Sequence, residues 1–202
     1  MRGLFAFSLI LLIGCGQNTF DSEKELLAYI KNTDNGYRYE KVIGNVVYTL
    51  TYRPTDIIVK QELDNNHSST NVEDLRKKYG DYLYFNLGMK ANNQELLSSR
   101  MGGRAAFGAM VNQLVFGMGE KVHLISQKRD TIPMADYIYP RTYGMSNSTN
   151  ILLVYPKNKK LLSEDFFHIT IEDLGLSTGE IGFKIPVKPL ENEPQINFEN
   201  TL

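Results

Sequence analysis

The chain has 202 residues, 42% hydrophobic and 22% charged, with a formal net charge of −1. This is the composition of an ordinary globular protein and excludes disordered and collagen-like classes. With no basic excess to neutralise a phosphate backbone, nucleic-acid binding is not expected, and a single cysteine, Cys15, excludes an intramolecular disulfide and a cysteine-rich zinc site.

The chain opens with Arg2, an apolar run over residues 4–13 and a small Gly14 before Cys15. This is the layout of a secretory leader. As a helix, the run would span only about 15 Å, half of a hydrocarbon core, so cleavage fits better than a transmembrane anchor. Leu12-Ile13-Gly14-Cys15 resembles the lipobox of bacterial lipoproteins. The resemblance implies a diacylglycerol thioether on the Cys15 sulfur, cleavage between Gly14 and Cys15, and attachment to a membrane through the lipid. Gly16 stands where Asp would retain a lipoprotein in the inner membrane, which resembles outer-membrane destinations. The expected organisation is a signal peptide at 1–14, the lipidated cysteine and a tether at 15–21, and one β-rich domain at 22–202.

Ser22 and Glu25 form an S-x-x-E capping box ahead of Leu26, Leu27 and Ile30, which predicts a helix over 22–31. Val46, Tyr48, Leu50 and Tyr52 alternate with Val47, Thr49, Thr51 and Arg53 after Gly44-Asn45, a hairpin with a two-residue turn. Pro54 interrupts the strand. Ile57-Ile58-Val59 begins another apolar run that fades into a polar stretch over 64–70, read as a loop. Asn71 caps a helix carrying Val72, Leu75 and Tyr79, closed at Gly80; Leu83, Phe85, Leu87 and Met89 then alternate as a strand with one buried face.

Over 101–119, Phe107, Met110, Val111, Leu114 and Met118 keep helical spacing, while Arg100, Arg104, Gly108 and Asn112 form a narrow polar line. A largely buried helix is expected, packed over an open sheet face. The alternative is a protein-contact surface made by Phe107, Met110, Leu114 and Met118, since methionines adapt to varied partners. Strands follow at 122–126, 131–139, 149–155, 166–172, 180–186 and 195–198. Many short strands predict a mainly β fold, an antiparallel β-sandwich with an immunoglobulin-like arrangement as one candidate, carrying two or three accessory helices. Asn35-Gly36-Tyr37 and the blocks 51–59 and 81–85 resemble small envelope lipoproteins of Bacteroidetes-type bacteria, which implies location and fold style and brings no catalytic residues.

Little in the chain points to catalysis, so a non-enzymatic role is expected. Gly144-Met145-Ser146-Asn147-Ser148 lacks the final glycine of a nucleophile elbow. His67, His123 and His168 stand singly, so neither a metal nor any other cofactor is expected. Asp130-Thr131-Ile132 resembles the O-glycosylation signal of exported Bacteroidetes-type proteins, which would place a glycan on Thr131. The 12 tyrosines pair across half-buried sheets or, alternatively, present a stacking face to a ligand. Two functions remain open: an interaction or structural component contacting other envelope proteins, and a binding module for a glycan, peptide or lipid.

Overall fold

The computed structural model describes residues 18–65, 71–99, 103–142 and 145–200. The leader, Gly14, Cys15 and His67 lie outside the described residues. Among the described residues, helix and strand contribute about equally, 36% and 35%, in several antiparallel sheets of which none is closed. The expectation of a mainly β chain with two or three helices is therefore corrected to a mixed one.

Strand β1 (Thr19–Phe20) already belongs to the fold, inside the stretch read as tether. Helix α1 (Glu23–Lys31) starts as expected: Ser22 accepts a hydrogen bond from the Glu25 N–H at 3.3 Å, and Leu26 and Ile30 are buried. Strands β2 (Arg38–Ile43) and β3 (Val46–Arg53) form the expected hairpin. Gly44 holds φ +58° at the first turn position, which a side chain would strain.

Helix α2 (Thr55–Asn65) occupies the apolar run after Pro54, so part of the expected loop is helical. The Ile57 N–H is taken by the Pro54 carbonyl at 3.0 Å, whereas the buried Thr55 N–H precedes the first intrahelical bond and needs another acceptor. Glu193, 138 residues away, supplies one: its Oε2 accepts from the Thr55 N–H at 3.0 Å and its Oε1 from the Thr55 hydroxyl at 3.0 Å. Helix α3 (Val72–Tyr79) follows, capped by Asn71.

Strand β4 (Tyr82–Ala91) buries Leu83, Phe85, Leu87 and Met89. Asn92 and Asn93, both at positive φ, turn it into β5 (Gln94–Glu95). Helices α4 (Leu96–Ser99) and α5 (Gly103–Phe116) come next, then β6 (Val122–Ser126). The strand expected over 131–139 divides: β7 (Thr131–Ile132) pairs with β6, whereas β8 (Asp136–Ile138) pairs with β9 (Thr149–Pro156). Helix α6 (Lys159–Leu162), strands β10 (Phe166–Ile171) and β11 (Ile181–Pro186), helix α7 (Lys188–Glu191) and β12 (Gln195–Ile196) complete the described chain.

The larger sheet runs β2-β3-β4-β9-β8 with β5 added on β4, and the smaller runs β11-β10-β6-β7. This order differs from the ABED and GFC sheets of immunoglobulin domains. The two sheets touch where the Phe85 and Phe167 rings lie edge to face at 6.1 Å and where the Tyr155 hydroxyl donates to the Val122 carbonyl at 3.3 Å. Tyr48, Leu50, Tyr52, Leu153, Ile169 and Ile185 are fully buried in the same core. Most of the tyrosines thus serve packing.

The strand register gives the larger sheet two distinguishable ends. At one end are the Gly44 turn, β5 and Thr149, and at the other Arg53, Tyr82 and Pro156. Strand β1 lies at the second end, paired in parallel with β12. Asp56, at the start of α2, accepts from the Ile196 N–H at 2.7 Å and holds β12 there.

Candidate functional site

Helix α5 is bordered by an apolar cleft of about 410 Å³. Leu97 of α4, Phe107 and Val111 of α5, and Tyr139 form its walls, with Glu95 and Arg141 at polar positions. The local fold explains the arrangement. The Leu96 N–H donates to the buried Thr149 hydroxyl at 3.0 Å, fixing α4 to the sheet end that carries β5. The last turn of α5 meets β8 where the Tyr137 hydroxyl donates to the Val115 carbonyl at 2.7 Å. Glu95 is buried and accepts from the Thr142 hydroxyl at 3.1 Å.

Of the four residues read as a contact surface, Met110, Leu114 and Met118 are buried in the core and only Phe107 is exposed, at 46%. The expected largely buried helix is corrected as well. Ala105, Gly108 and Ala109 are exposed, and Phe116 is 76% exposed. Over its 14 residues α5 carries a single charge, Arg104. Because it is apolar on more than one side, its sequence reads as buried; the fold covers only the stripe of Met110 and Leu114.

No tyrosine-lined groove is assembled among the described residues. Tyr37, Tyr48, Tyr52, Tyr84 and Tyr155 are buried, and Tyr143 lies outside the described residues. Burial is the first cause that pushes the Tyr37 and Tyr39 hydroxyls up to about 12 and raises Tyr48, Tyr52, Tyr84 and Tyr155. On the outer face of the larger sheet, Asn86 donates to Asn150 at 3.2 Å and Ser148 to the Met89 carbonyl at 3.2 Å. That face is polar and its groups bond mainly one another.

A second polar cluster surrounds Asp56, which is 3% exposed and receives Arg76 through Nε at 2.8 Å and Nη2 at 2.7 Å. The Asp56 hydrogen bonds hold the Arg76 guanidinium more firmly protonated than usual. Glu193 accepts from the Tyr52 hydroxyl at 2.7 Å and from Lys157 at 3.2 Å besides capping α2. These carboxylates have their partners within the chain and act as a clasp.

His123 lies 3.2 Å from Glu172, whose carboxyl is held below its usual range first by Lys121 and then by His123. His168 stacks edge-on against Phe166. Among the described residues, no group of three or more His, Cys, Asp or Glu is placed to hold a metal ion. Thr131 is exposed on β7, beside Asp130, whose carboxylate accepts from Lys160 at 2.7 Å. No helix among the described residues is long and apolar enough to cross a membrane.

No family model matches the chain, and no curated protein matches it. Among solved structures it is similar to a protein of unknown function from Burkholderia pseudomallei K96243, at 10% identity and a TM-score of 0.41. The similarity covers 81% of this chain and 85% of that one, and at this level it leaves fold and function to be argued from the residues themselves.

Proposed function

We propose that this chain is a lipid-anchored, non-enzymatic component of a cell-envelope assembly, and that α5 with its adjoining cleft receives an apolar segment of a partner protein. The observation that carries the reading is α5 itself. A 14-residue helix with one charge, exposing Phe107 beside an apolar cleft, leaves in water a surface that a monomer would ordinarily cover with polar side chains. The lipobox resemblance supports attachment through Cys15, and Gly16 favours the outer membrane. In this reading the two larger sheets stack as an antiparallel β-sandwich, and the exposed Thr131 is open to a glycan.

Two variants test the parts separately. Cys15→Ser should abolish both the lipid adduct and the cut before residue 15, as read by mass spectrometry of the N-terminus. Val111→Glu, which places a charge in the cleft, should keep the protein membrane-bound but remove the stoichiometric partner recovered from solubilised envelopes. Repeated recovery of a lone wild-type monomer would sink the assembly role.

The cleft volume favours one further reading, capture of a small apolar ligand such as a lipid or peptide, because about 410 Å³ lies within the usual range of ligand sites. Intact-mass spectra of the gently solubilised protein distinguish the two: a bound small molecule lost in Val111→Glu favours ligand capture.

A further inference from the structure

The charges around the cleft beside α5 are of one sign where they meet water. Arg104, Phe107 and Val111 follow one another at i, i+3 and i+7, so they share one stripe of the helix, with Arg104 next to the apolar wall. Arg141 is itself a lining residue, exposed, two positions after Tyr139. Neither arginine forms a salt bridge or a side-chain hydrogen bond among the described residues. Glu95, the acid among the described lining residues, is 2% exposed, and its Oε1 accepts from the Thr142 hydroxyl.

From this arrangement we infer that the cleft holds a single-chain amphiphile with an anionic head, a fatty acid being the simplest. Its chain lies against Leu97, Phe107 and Val111, and its carboxylate meets Arg141. The inference rests on the ligand-capture reading of the cleft given above.

Apolar contact alone does not draw an alkyl chain into this cleft from a membrane, because the chain is equally removed from water in either place. The head has to supply the preference. A guanidinium offers two parallel N–H donors that match the two oxygens of a carboxylate, and the bond is charge-assisted; an alcohol head has no charge to meet. Arg141 presents that group in water at an otherwise apolar lining, and Arg104 adds charge of the same sign along the Phe107 stripe. The buried Glu95 carboxylate already has its Thr142 donor, so the exposed arginines set the sign of the head. A chain seated in this way covers Phe107, half exposed as it stands, and leaves Phe116, which is not part of the lining, to a partner protein.

Photo-crosslinking tests the site and the head together. The full-length protein is mixed with phosphatidylcholine nanodiscs that contain either a long-chain fatty acid bearing a diazirine near its methyl end or the alcohol of the same chain, at mildly alkaline pH, where the acid is ionised. After irradiation, peptide mass spectrometry maps the adducts. The acid is expected to label the peptides carrying Leu97 and Phe107 to Val111 about tenfold more than the alcohol does, the ratio a charge-assisted hydrogen bond supplies. Arg141→Gln, a change at an exposed position, should bring the acid down to the level of the alcohol and leave the alcohol unchanged. Val111→Glu should remove the labelling of the cleft by both. If acid and alcohol label the cleft equally in the wild type, the anionic head is wrong while ligand capture stands. If neither labels it, ligand capture falls together with the inference, and the apolar segment of a partner protein is the remaining occupant.

Discussion

Asp56 shows how one side chain joins segments that the sequence keeps far apart. Its two oxygens receive Arg76, 20 residues on, and the Ile196 N–H, 140 residues on. Removing Asp56 leaves the buried Ile196 N–H without its acceptor and takes the ion-pair partner from Arg76, whose side chain is partly exposed. Asp56→Ala should therefore destabilise the fold by about 1 to 3 kcal/mol, read as a lower urea midpoint at unchanged slope. A change within the error of wild type would mean that Arg76 simply turns to solvent. In the sequence Asp56 is one acid after Pro54-Thr55, with no local sign of these partners.

Helix α5 carries the lesson at the level of an element. Its spacing identified a helix and its apolar stripe, yet the stripe and the exposed face contain the same residue types. Leu114→Ala removes buried methyl groups and should cost about 2 to 5 kcal/mol. Phe116→Ser, on the exposed face, should change stability by no more than about 0.5 kcal/mol while improving solubility. Thermal or urea unfolding of the two variants checks the contrast; equal losses would mean that Phe116 is covered in the free protein. Helix α2 makes the complementary point. Its start has no side-chain cap in the neighbouring sequence because Glu193 acts from across the fold, so the segment reads as a fading apolar run.

Across the whole molecule, aromatic rings connect the layers. Phe20, Tyr29, Tyr37, Tyr52, Phe85 and Phe167 follow one another with centroids between 5.0 and 6.2 Å apart, from β1 through the larger sheet to β10. Burial disfavours the phenolate form of Tyr37, Tyr39, Tyr48, Tyr52, Tyr84 and Tyr155. A folded value raised above the unfolded one gives stability that is fully present below the unfolded value near 10. That stability declines as pH rises toward the folded values, about 12 for Tyr37 and Tyr39. On raising the pH beyond 10, tyrosinate absorbance from these six residues should therefore appear together with the loss of near-ultraviolet circular dichroism. Their gradual ionisation in a protein that stays folded would contradict the packing described.

Residue order alone determined the features whose physics is complete within a few positions. Ser22 caps α1, Gly44 turns the β2–β3 hairpin, and the alternation of β3 assigns it its buried face, because hydrogen bonds to the next turn and the two-residue pleat need no distant partner. Only the tertiary structure decided that 131–138 splits between two sheets, that Thr19 and Phe20 pair with β12, that Glu193 starts α2, and that α5 keeps one side in water. Each of these depends on which groups remain to be covered or hydrogen-bonded once the rest of the chain is in place, and a local pattern does not contain that quantity.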